Sequence, residues 1–168
     1  DHTDLLCIGE MGIANTTSAA AISYALYQDE DVAKWVGRGT GVDDEKLVHK
    51  AKIVKQAVET NALELVDPLC ILQCLGGREL AAMAGAVIAA RLKRIPVLLD
   101  GYVSCAAVAP LEAYRKGALD HCLVAHRSVE PGHSLLCAKL EKQPLLDLNM
   151  GLGEASGSVL AVSLIKSA

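Results

Sequence analysis

The sequence predicts an α/β fold in three layers, in which helices cover both faces of a mostly parallel sheet. Short runs of consecutive apolar residues alternate with longer helix-forming stretches, which is the pattern of βαβ units. Hydrophobic residues make up 52% of the 168 positions and charged residues 21%, which suits one ordered domain with a sizeable core. Aromatic residues reach only 3%, so the interior must be packed from Ala, Leu, Val and Ile.

The first strand and the first helix are predicted near the amino-terminal end. Leu5–Gly9 is a short apolar run that ends in glycine, which indicates a buried strand followed by a turn. Residues 15–18 are Asn, Thr, Thr and Ser, all of which can serve as N-caps. Because Ala19–Tyr27 is rich in helix formers, we expect a helix there, capped by one of those four side chains.

Three more helices are expected before the next strand, after a polar loop with three glycines at residues 37–42. Asp43 or Asp44 caps the first of them, in which apolar residues recur at helical spacing. Asp67 and Pro68 open the second, because aspartate is a good N-cap and proline suits the first helical turn. The predicted ranges are residues 43 or 44 to 59, residues 67 to 76, and Arg78–Lys93.

Three further strands and three further helices complete the predicted fold. The strands are Ile95–Leu99, Cys122–Ala125 and a short edge strand over Pro144–Leu146. The helices are Tyr102–Arg115, Gly132–Leu140 and a last one from about Gly153 to Ile165. Since the strands are apolar at consecutive positions, both of their faces must be buried, and this favours parallel pairing.

Charge and cysteine usage restrict the possible partners and compartment. The formal net charge of −4 gives no general attraction to nucleic acid or to anionic lipid, and the longest apolar runs are too short to cross a bilayer. The first residues carry no basic region and no initiator Met, so no signal peptide is visible and we expect a chain cut from something longer. The six cysteines are scattered, which is typical of reduced thiols in the cytoplasm.

Polar residues and glycines follow three of the predicted strands. These positions are Gly9 to Gly12, Asp100-Gly101, and His126 to Ser128. In open parallel sheets ligands bind beyond the carboxyl ends of the strands, so the three turns together predict a small-molecule site. The helix start at residues 12–16 offers free N–H groups to that crevice, and such a site most naturally binds a phosphate.

Glu154 lies between glycines and apolar residues at the predicted start of the last helix. A carboxylate with a dry pocket on one side is a candidate general base. The alternative is a first-turn glutamate that only stabilises its helix. Lys50 lies on a predicted helix, and exposure of its side chain to solvent is the alternative to a functional role.

Cofactor and metal signals in the sequence are weak. The segment from Gly151 to Ser156 nearly matches a dinucleotide fingerprint, but no strand and acidic residue follow it. His126 and His133 have no partner at metal-ligand spacing, so a loop or helix-capping role is expected for both. Asp100 stands alone where diphosphate-sugar transferases usually have two acids. We therefore expect neither a metal nor a cofactor.

Six long segments, in the same order along the chain, resemble one enzyme family. They are residues 9–17, 37–44, 76–85, 95–101, 125–133 and 145–157. Together they resemble nicotinate-nucleotide–dimethylbenzimidazole phosphoribosyltransferase, and the match corresponds to about the carboxyl-terminal half of that family's usual chain. The resemblance implies a Rossmann-like sheet, a homodimer and no metal.

The resemblance also implies a reaction and a set of site residues. Family members transfer 5-phosphoribosyl from nicotinate mononucleotide to 5,6-dimethylbenzimidazole, which yields α-ribazole 5′-phosphate for the lower ligand of cobalamin. The family's proposed base falls on Glu154. Substrate-binding positions fall on Glu10, Gly12, Asn15, Thr16, Lys50, Ser128, Leu152 and Gly153. A non-catalytic nucleotide-binding or assembly domain of the same fold remains the alternative.

Overall fold

Four parallel strands form the sheet in the computed structural model of the chain, which describes residues 3–28, 30–37 and 44–168. They are β1 (Leu6–Ile8), β2 (Val97–Leu99), β3 (Cys122–Ser128) and β4 (Pro144–Met150). Their spatial order is β1-β2-β3-β4, and each neighbouring pair is parallel. The predicted α/β class and the four predicted strands are confirmed.

Seven α-helices occur in the described part of the chain, and the type of each agrees with the sequence prediction. They are α1 (Asn15–Leu26), α2 (Asp44–Thr60), α3 (Pro68–Leu75), α4 (Gly77–Leu92), α5 (Tyr102–Tyr114), α6 (Pro131–Lys139) and α7 (Ser156–Ser167). A short 3-10 helix at Val32–Trp35 was not expected. The glycine-rich loop and the predicted cap at Asp43 lie outside the described residues.

The predicted cap of α1 is wrong. The helix begins at Asn15, and Ala14 is its N-cap residue, with φ 64° and no side-chain hydrogen bond. Residues 15–18 lie inside the helix, because the turn after β1 ends in a left-handed residue and needs no polar cap. The start of α1 therefore keeps free backbone N–H groups.

Strand β3 and helix α7 also differ from their predicted bounds. Strand β3 continues beyond Ala125 to Ser128, because it pairs with β4, which itself runs on to Met150. Helix α7 begins at Ser156 rather than at Gly153. Residues 153–155 have φ values of 81°, 59° and 59°, a left-handed run that cannot belong to a right-handed helix.

The sheet packs helices against both faces, and the two cores differ greatly in size. Val97 and Leu99 of β2 belong to the large core, to which each of the helices α1 to α6 contributes. Leu98 points to the other face, where it packs with Ala125 of β3 and Ala161 of α7. This alternation along a three-residue strand explains why β2 is apolar at consecutive positions.

The strand order places several helix starts at one edge of the sheet. Helices α1 and α5 follow β1 and β2 directly on one face, and α7 follows β4 on the other. Their N-termini therefore converge at the carboxyl edge, where the sequence predicts a site. Within the described ranges, no helix is long and apolar enough to cross a membrane.

Candidate active site

A cavity of about 390 Å³ opens at the carboxyl edge of the sheet. Four segments that end or follow the strands form its wall. They are residues 10–16 after β1, residues 100–104 after β2, residues 126, 128 and 130 at the end of β3 and just beyond it, and residues 151–154 after β4. The three turns that the sequence singled out thus surround one space. With the exception of Lys50, every predicted site residue lines it.

Glu10 is the partly buried carboxyl of this cavity. Asn15 donates its Nδ2 hydrogen bonds to Glu10 Oε2 and, at 3.2 Å, to Glu79 Oε2. Burial raises the pKa of the Glu10 carboxyl above its ordinary value, although the hydrogen bond from Asn15 acts in the opposite direction and lowers it. The nearby carboxylates of Glu79, Asp100 and Glu154 raise it further. Glu10 is therefore poised to hold or accept a proton nearer to neutral pH than an exposed glutamate is.

Glu79 is a site neighbour that sequence reasoning missed. Its Oε1 accepts the backbone N–H of Met11 at 3.1 Å, and its Oε2 meets Asn15. A Cβ at Gly12 would lie 2.6 Å from Glu79 Oε2, so a larger residue there would displace the Glu79 carboxylate. Because Glu79 lies on α4, far along the chain, only the segment 76–85 in the family resemblance could have pointed to it.

Lys50 reaches from α2 to the start of α1. Its Nζ donates to Thr16 Oγ1 at 2.8 Å and to the Gly37 carbonyl oxygen at 3.0 Å. Burial lowers the pKa of this ammonium group, and the charge of Glu130 opposes the shift. The solvated alternative for Lys50 is wrong, since the side chain is half-buried and fixed by tertiary contacts.

Ser128 ends β3 beside the start of α5. Its hydroxyl is buried and has no hydrogen-bond partner among the residues described, although the residue lines the cavity. Its backbone N–H donates to His133 Nδ1 at 2.9 Å. A buried hydroxyl at a cavity wall can bind a ligand atom without losing an existing bond. His133 thus supports the Ser128 backbone from inside α6, and since Ser128 belongs to β3 the expected loop or helix-capping role of His133 is wrong.

Glu154 lies in the left-handed turn between β4 and α7. Its backbone N–H donates to the Glu10 carbonyl oxygen at 2.9 Å, which joins the turns after β1 and β4. The expected dry environment is wrong, because the Glu154 side chain is exposed at the cavity mouth. Leu152 is also exposed, whereas Gly153 packs so closely on Glu10 that a Cβ would meet its carboxyl oxygen.

Asp100 and His126 form a buried pair at the back of the cavity. Each is 1% exposed, and His126 Nε2 lies 3.7 Å from Asp100 Oδ1. The same Oδ1 accepts the backbone N–H of Ser158 at 2.9 Å. The expected loop position of His126 is wrong: it lies in β3, and its ring packs against Gly157, where no Cβ would fit.

The arrangement combines proton acceptors with anion donors. The carboxyl groups of Glu10, Asp100 and Glu154 line the cavity, and the uncapped start of α1 and the hydroxyl of Ser128 face it. In the described ranges, no three His, Cys, Asp or Glu side chains are grouped so that they could hold a metal ion. These residues can bind a phosphorylated, partly cationic small molecule and accept a proton from it.

A sequence model of a protein family described as "Phosphoribosyltransferase" matches residues 1–168. The chain belongs to this phosphoribosyltransferase family. The segments that the sequence resemblance used therefore reflect common descent, and four of the six, residues 9–17, 95–101, 125–133 and 145–157, contribute residues to the wall of the cavity.

Curated relatives are similar over almost all of the chain. A nicotinate-nucleotide–dimethylbenzimidazole phosphoribosyltransferase of Methylocella silvestris is 59% identical over 165 residues, which cover 98% of this chain and 48% of the relative. The enzyme of the same name from Allorhizobium ampelinum is 57% identical over 166 residues, which cover 99% of this chain and 48% of the relative. The chain thus spans about half the length of the curated relatives it matches.

Solved structures agree with the fold. The crystal structure of CobT from Thermus thermophilus matches with a TM-score of 0.91 and 38% identity, over 98% of this chain and 49% of that one. A second structure, of the nicotinate-nucleotide–dimethylbenzimidazole phosphoribosyltransferase of the same organism, matches with a TM-score of 0.86 and 36% identity, over 98% of this chain and 48% of that one. The α/β fold of this chain is therefore that of its family.

Proposed function

We propose that the chain carries the phosphoribosyl-transfer site of a nicotinate-nucleotide–dimethylbenzimidazole phosphoribosyltransferase. The reaction moves 5-phosphoribosyl from nicotinate mononucleotide to 5,6-dimethylbenzimidazole and gives α-ribazole 5′-phosphate and nicotinate, in synthesis of the cobalamin lower ligand. The observation that carries the proposal is the convergence of four of the six segments of the family resemblance on one cavity, in a chain 59% identical to a relative of that name.

The reaction requires one proton acceptor and one site for a phosphate. The bond between C1′ and the nicotinate ring nitrogen breaks, its electron pair stays on that nitrogen, and nicotinate leaves without needing a proton. A benzimidazole nitrogen attacks C1′ from the opposite face, which inverts the configuration, and Glu154 accepts the benzimidazole proton. The start of α1, Lys50 and Ser128 hold the 5′-phosphate through N–H, ammonium and hydroxyl donors.

The cavity's carboxyl groups suit this donor in a second way. Nicotinate mononucleotide carries a pyridinium-type nitrogen, and positive charge grows on the ribosyl ring as the bond to nicotinate breaks. Glu10 and Glu154 line the space in which that charge would develop. Fixed negative charge near developing positive charge lowers the energy of the transition state.

A transfer assay tests the proposal. The chain, or any longer natural form of it, is incubated with nicotinate mononucleotide and dimethylbenzimidazole, and α-ribazole 5′-phosphate is measured. In the active form, Glu154→Gln keeps the shape but cannot accept the proton, so we expect a rate about 10²–10⁴ lower with substrate binding retained. An acceptor base that is already more acidic should reduce the loss. Normal turnover in a well-folded Glu154→Gln protein would remove Glu154 as the base.

Glu10 is the second candidate for the base, because its carboxyl is partly buried and its pKa is raised. Glu10→Gln is therefore the matched comparison for Glu154→Gln. If Glu154 is the base and Glu10 binds substrate, Glu10→Gln raises KM for nicotinate mononucleotide more than it lowers kcat. The reverse pattern would exchange the two roles.

The alternative function is a nucleotide- or phosphate-binding domain without turnover. The coverage of about half the length of the relatives is the observation that favours it. It predicts binding of nicotinate mononucleotide with no product in any form of the chain. Our proposal also includes a homodimer and a cytoplasmic location, both from the family resemblance.

A further inference from the structure

Helix α7 starts without a cap of its own. Its N-cap residue is Ala155, which has no side-chain acceptor and adopts a left-handed conformation with φ 59°. Glu154, just before it, has the same φ, and a left-handed conformation is unfavourable for residues with a Cβ. The turn that presents Glu154 is therefore not stabilised by its local sequence, and contacts from elsewhere must hold it.

The carboxylate of Asp100 supplies the missing cap from another strand. Its Oδ1 accepts the N–H of Ser158, the third residue of α7, at 2.9 Å, which is the bond that an N-cap side chain normally accepts. Asp100 is 1% exposed and held on both sides by the sheet. Its own N–H donates to the Ile8 carbonyl oxygen, and its carbonyl oxygen accepts the N–H of His126. The cap is thus fixed to the centre of the sheet.

Two further contacts complete the support of the turn. The Glu154 N–H donates to the Glu10 carbonyl oxygen at 2.9 Å, and Gly9 approaches Ala155 so closely that no Cβ fits between them. Of these contacts, the Asp100 bond alone is made by a side chain. It is therefore the contact that substitution can remove while the backbone of the sheet stays intact.

We propose that Asp100 is a positioning residue that caps α7 across the sheet and thereby fixes the position of Glu154 at the cavity. This inference rests on the proposed function for its catalytic consequence. Asp100 acts here as a hydrogen-bond acceptor, so its charge is not what matters. A misplacement of a catalytic group by about 1 Å can cost about 10²-fold in rate.

The comparison of Asp100→Asn with Asp100→Ala tests this role in the transfer assay. Asparagine keeps an oxygen at the Oδ1 position and caps helices about as well as aspartate, whereas alanine cannot. We expect kcat to fall about 10- to 100-fold in Asp100→Ala, and only about threefold in Asp100→Asn, with similar KM for nicotinate mononucleotide in both. Equal losses in the two variants would overturn the proposal, because charge rather than capping would then be what Asp100 supplies.

Amide hydrogen exchange gives a readout that does not depend on activity. Loss of the cap should speed exchange at the start of α7, at residues 156–158, while exchange in α4 stays unchanged. Absence of transfer activity in every form of the chain would refute the proposed function alone, and this measurement would still decide the capping role. Unchanged exchange at residues 156–158 in Asp100→Ala would overturn the role itself.

Substitutions at Ser158 test the same bond from its donor side. Ser158→Pro removes the N–H at a helix position where proline is tolerated, whereas Ser158→Ala keeps the N–H and loses only the hydroxyl bond to the Leu98 carbonyl oxygen. We expect faster exchange at the start of α7 in Ser158→Pro and not in Ser158→Ala. If both variants behave alike, the N–H bond to Asp100 is not what holds the turn.

Discussion

At the scale of single residues, the site combines the ammonium group of Lys50 with a carboxyl group of raised pKa. Lys50 comes from α2 and is held by Thr16 and Gly37, so its charge lies at the uncapped start of α1. Glu10 follows β1 and is partly buried. The two residues are expected to act on different parts of the substrate, and separate measurements can test them.

Lys50→Ala should weaken the binding of nicotinate mononucleotide and leave the binding of nicotinate nearly unchanged. A charge-assisted contact with the phosphate contributes about 1.5–3 kcal/mol, so we expect Kd for the nucleotide to rise about 10- to 100-fold. Titration calorimetry with both ligands measures the difference. Lys52→Ala, an exposed change on the same helix, is the control. Equal losses for nucleotide and free nicotinate would place Lys50 away from the phosphate.

Glu10 should make the stability of the protein depend on pH. The pKa of Glu10 is higher in the folded protein than in the unfolded chain, where it is about 4.3. The contribution of Glu10 to stability is therefore fully present below about pH 4.3 and is lost as the pH rises through the pKa of the folded protein. Glu10→Gln should therefore raise Tm relative to wild type, by more at pH 7 than at pH 4. Glu64→Gln, at an exposed position, controls for the loss of one charge. A Tm difference independent of pH would contradict the prediction.

At the scale of secondary-structure elements, the helices divide by how they are capped. Helix α3 has a local cap, because Asp67 Oδ1 accepts the N–H groups of Leu69 and Cys70 at 2.7 and 2.9 Å. Helices α1, α5 and α7, which face the cavity, have no side-chain cap of their own at the N-cap position. Helices α4 and α6 also start without a side-chain cap. Uncapped starts leave N–H groups for a ligand or for a distant side chain, and those of α1, α5 and α7 lie at the cavity.

Asp67→Ala should destabilise α3 and lower Tm by about 2–4 °C, the effect of a typical lost cap in a domain of this size. Asp67→Asn, which caps equally well, should stay near wild type. The two backbone hydrogen bonds lower the pKa of Asp67, so the difference from Ala should shrink as pH falls below its ordinary value of about 3.9. Thermal unfolding at several pH values measures these Tm differences. The prediction is contradicted if Asp67→Ala and Asp67→Asn have the same Tm.

At the scale of the whole molecule, the two faces of the sheet are covered unequally. Helices α1 to α6 bury the large core on one face, whereas α7 alone among the described helices covers the other. The outer side of α7 remains apolar, with Val159, Leu160 and Leu164 exposed by 64%, 51% and 49%. Exposed apolar surface of this kind can cause association that is unrelated to a specific dimer.

Sedimentation can separate a specific dimer from such association. We expect a dimer that persists on about hundredfold dilution. The dimer should persist also in a Leu160→Gln, Leu164→Gln double variant, because only non-specific association depends on the apolar outer side of α7. A monomer that is stable on dilution would refute the dimer for this chain. Loss of the dimer in the double variant would assign the association to the outer side of α7.

The sequence by itself determined the class of the fold and the place of the site. The strand runs at Leu5–Gly9 and Ile95–Leu99 and the helix from Arg78 to Lys93 depend on local apolar patterns, which act on neighbouring residues. Parallel strands align their carboxyl ends, so Glu10, Asp100 and His126 could be expected at one edge. Local sequence also made Glu154 a candidate base, and the family resemblance added the binding roles of Lys50 and Ser128.

Only the tertiary structure decided how those residues are held. Lys50 has the sequence pattern of a solvated helix position, and its contacts with Thr16 and Gly37 depend on the packing of α2 against α1. Glu154 was expected in the first turn of the last helix. Helix α7 instead begins two residues later, with its start capped by Asp100, and Glu154 lies in the left-handed turn before it. These contacts join residues far apart in the chain, and their energies depend on burial and distance, which a local sequence pattern does not contain.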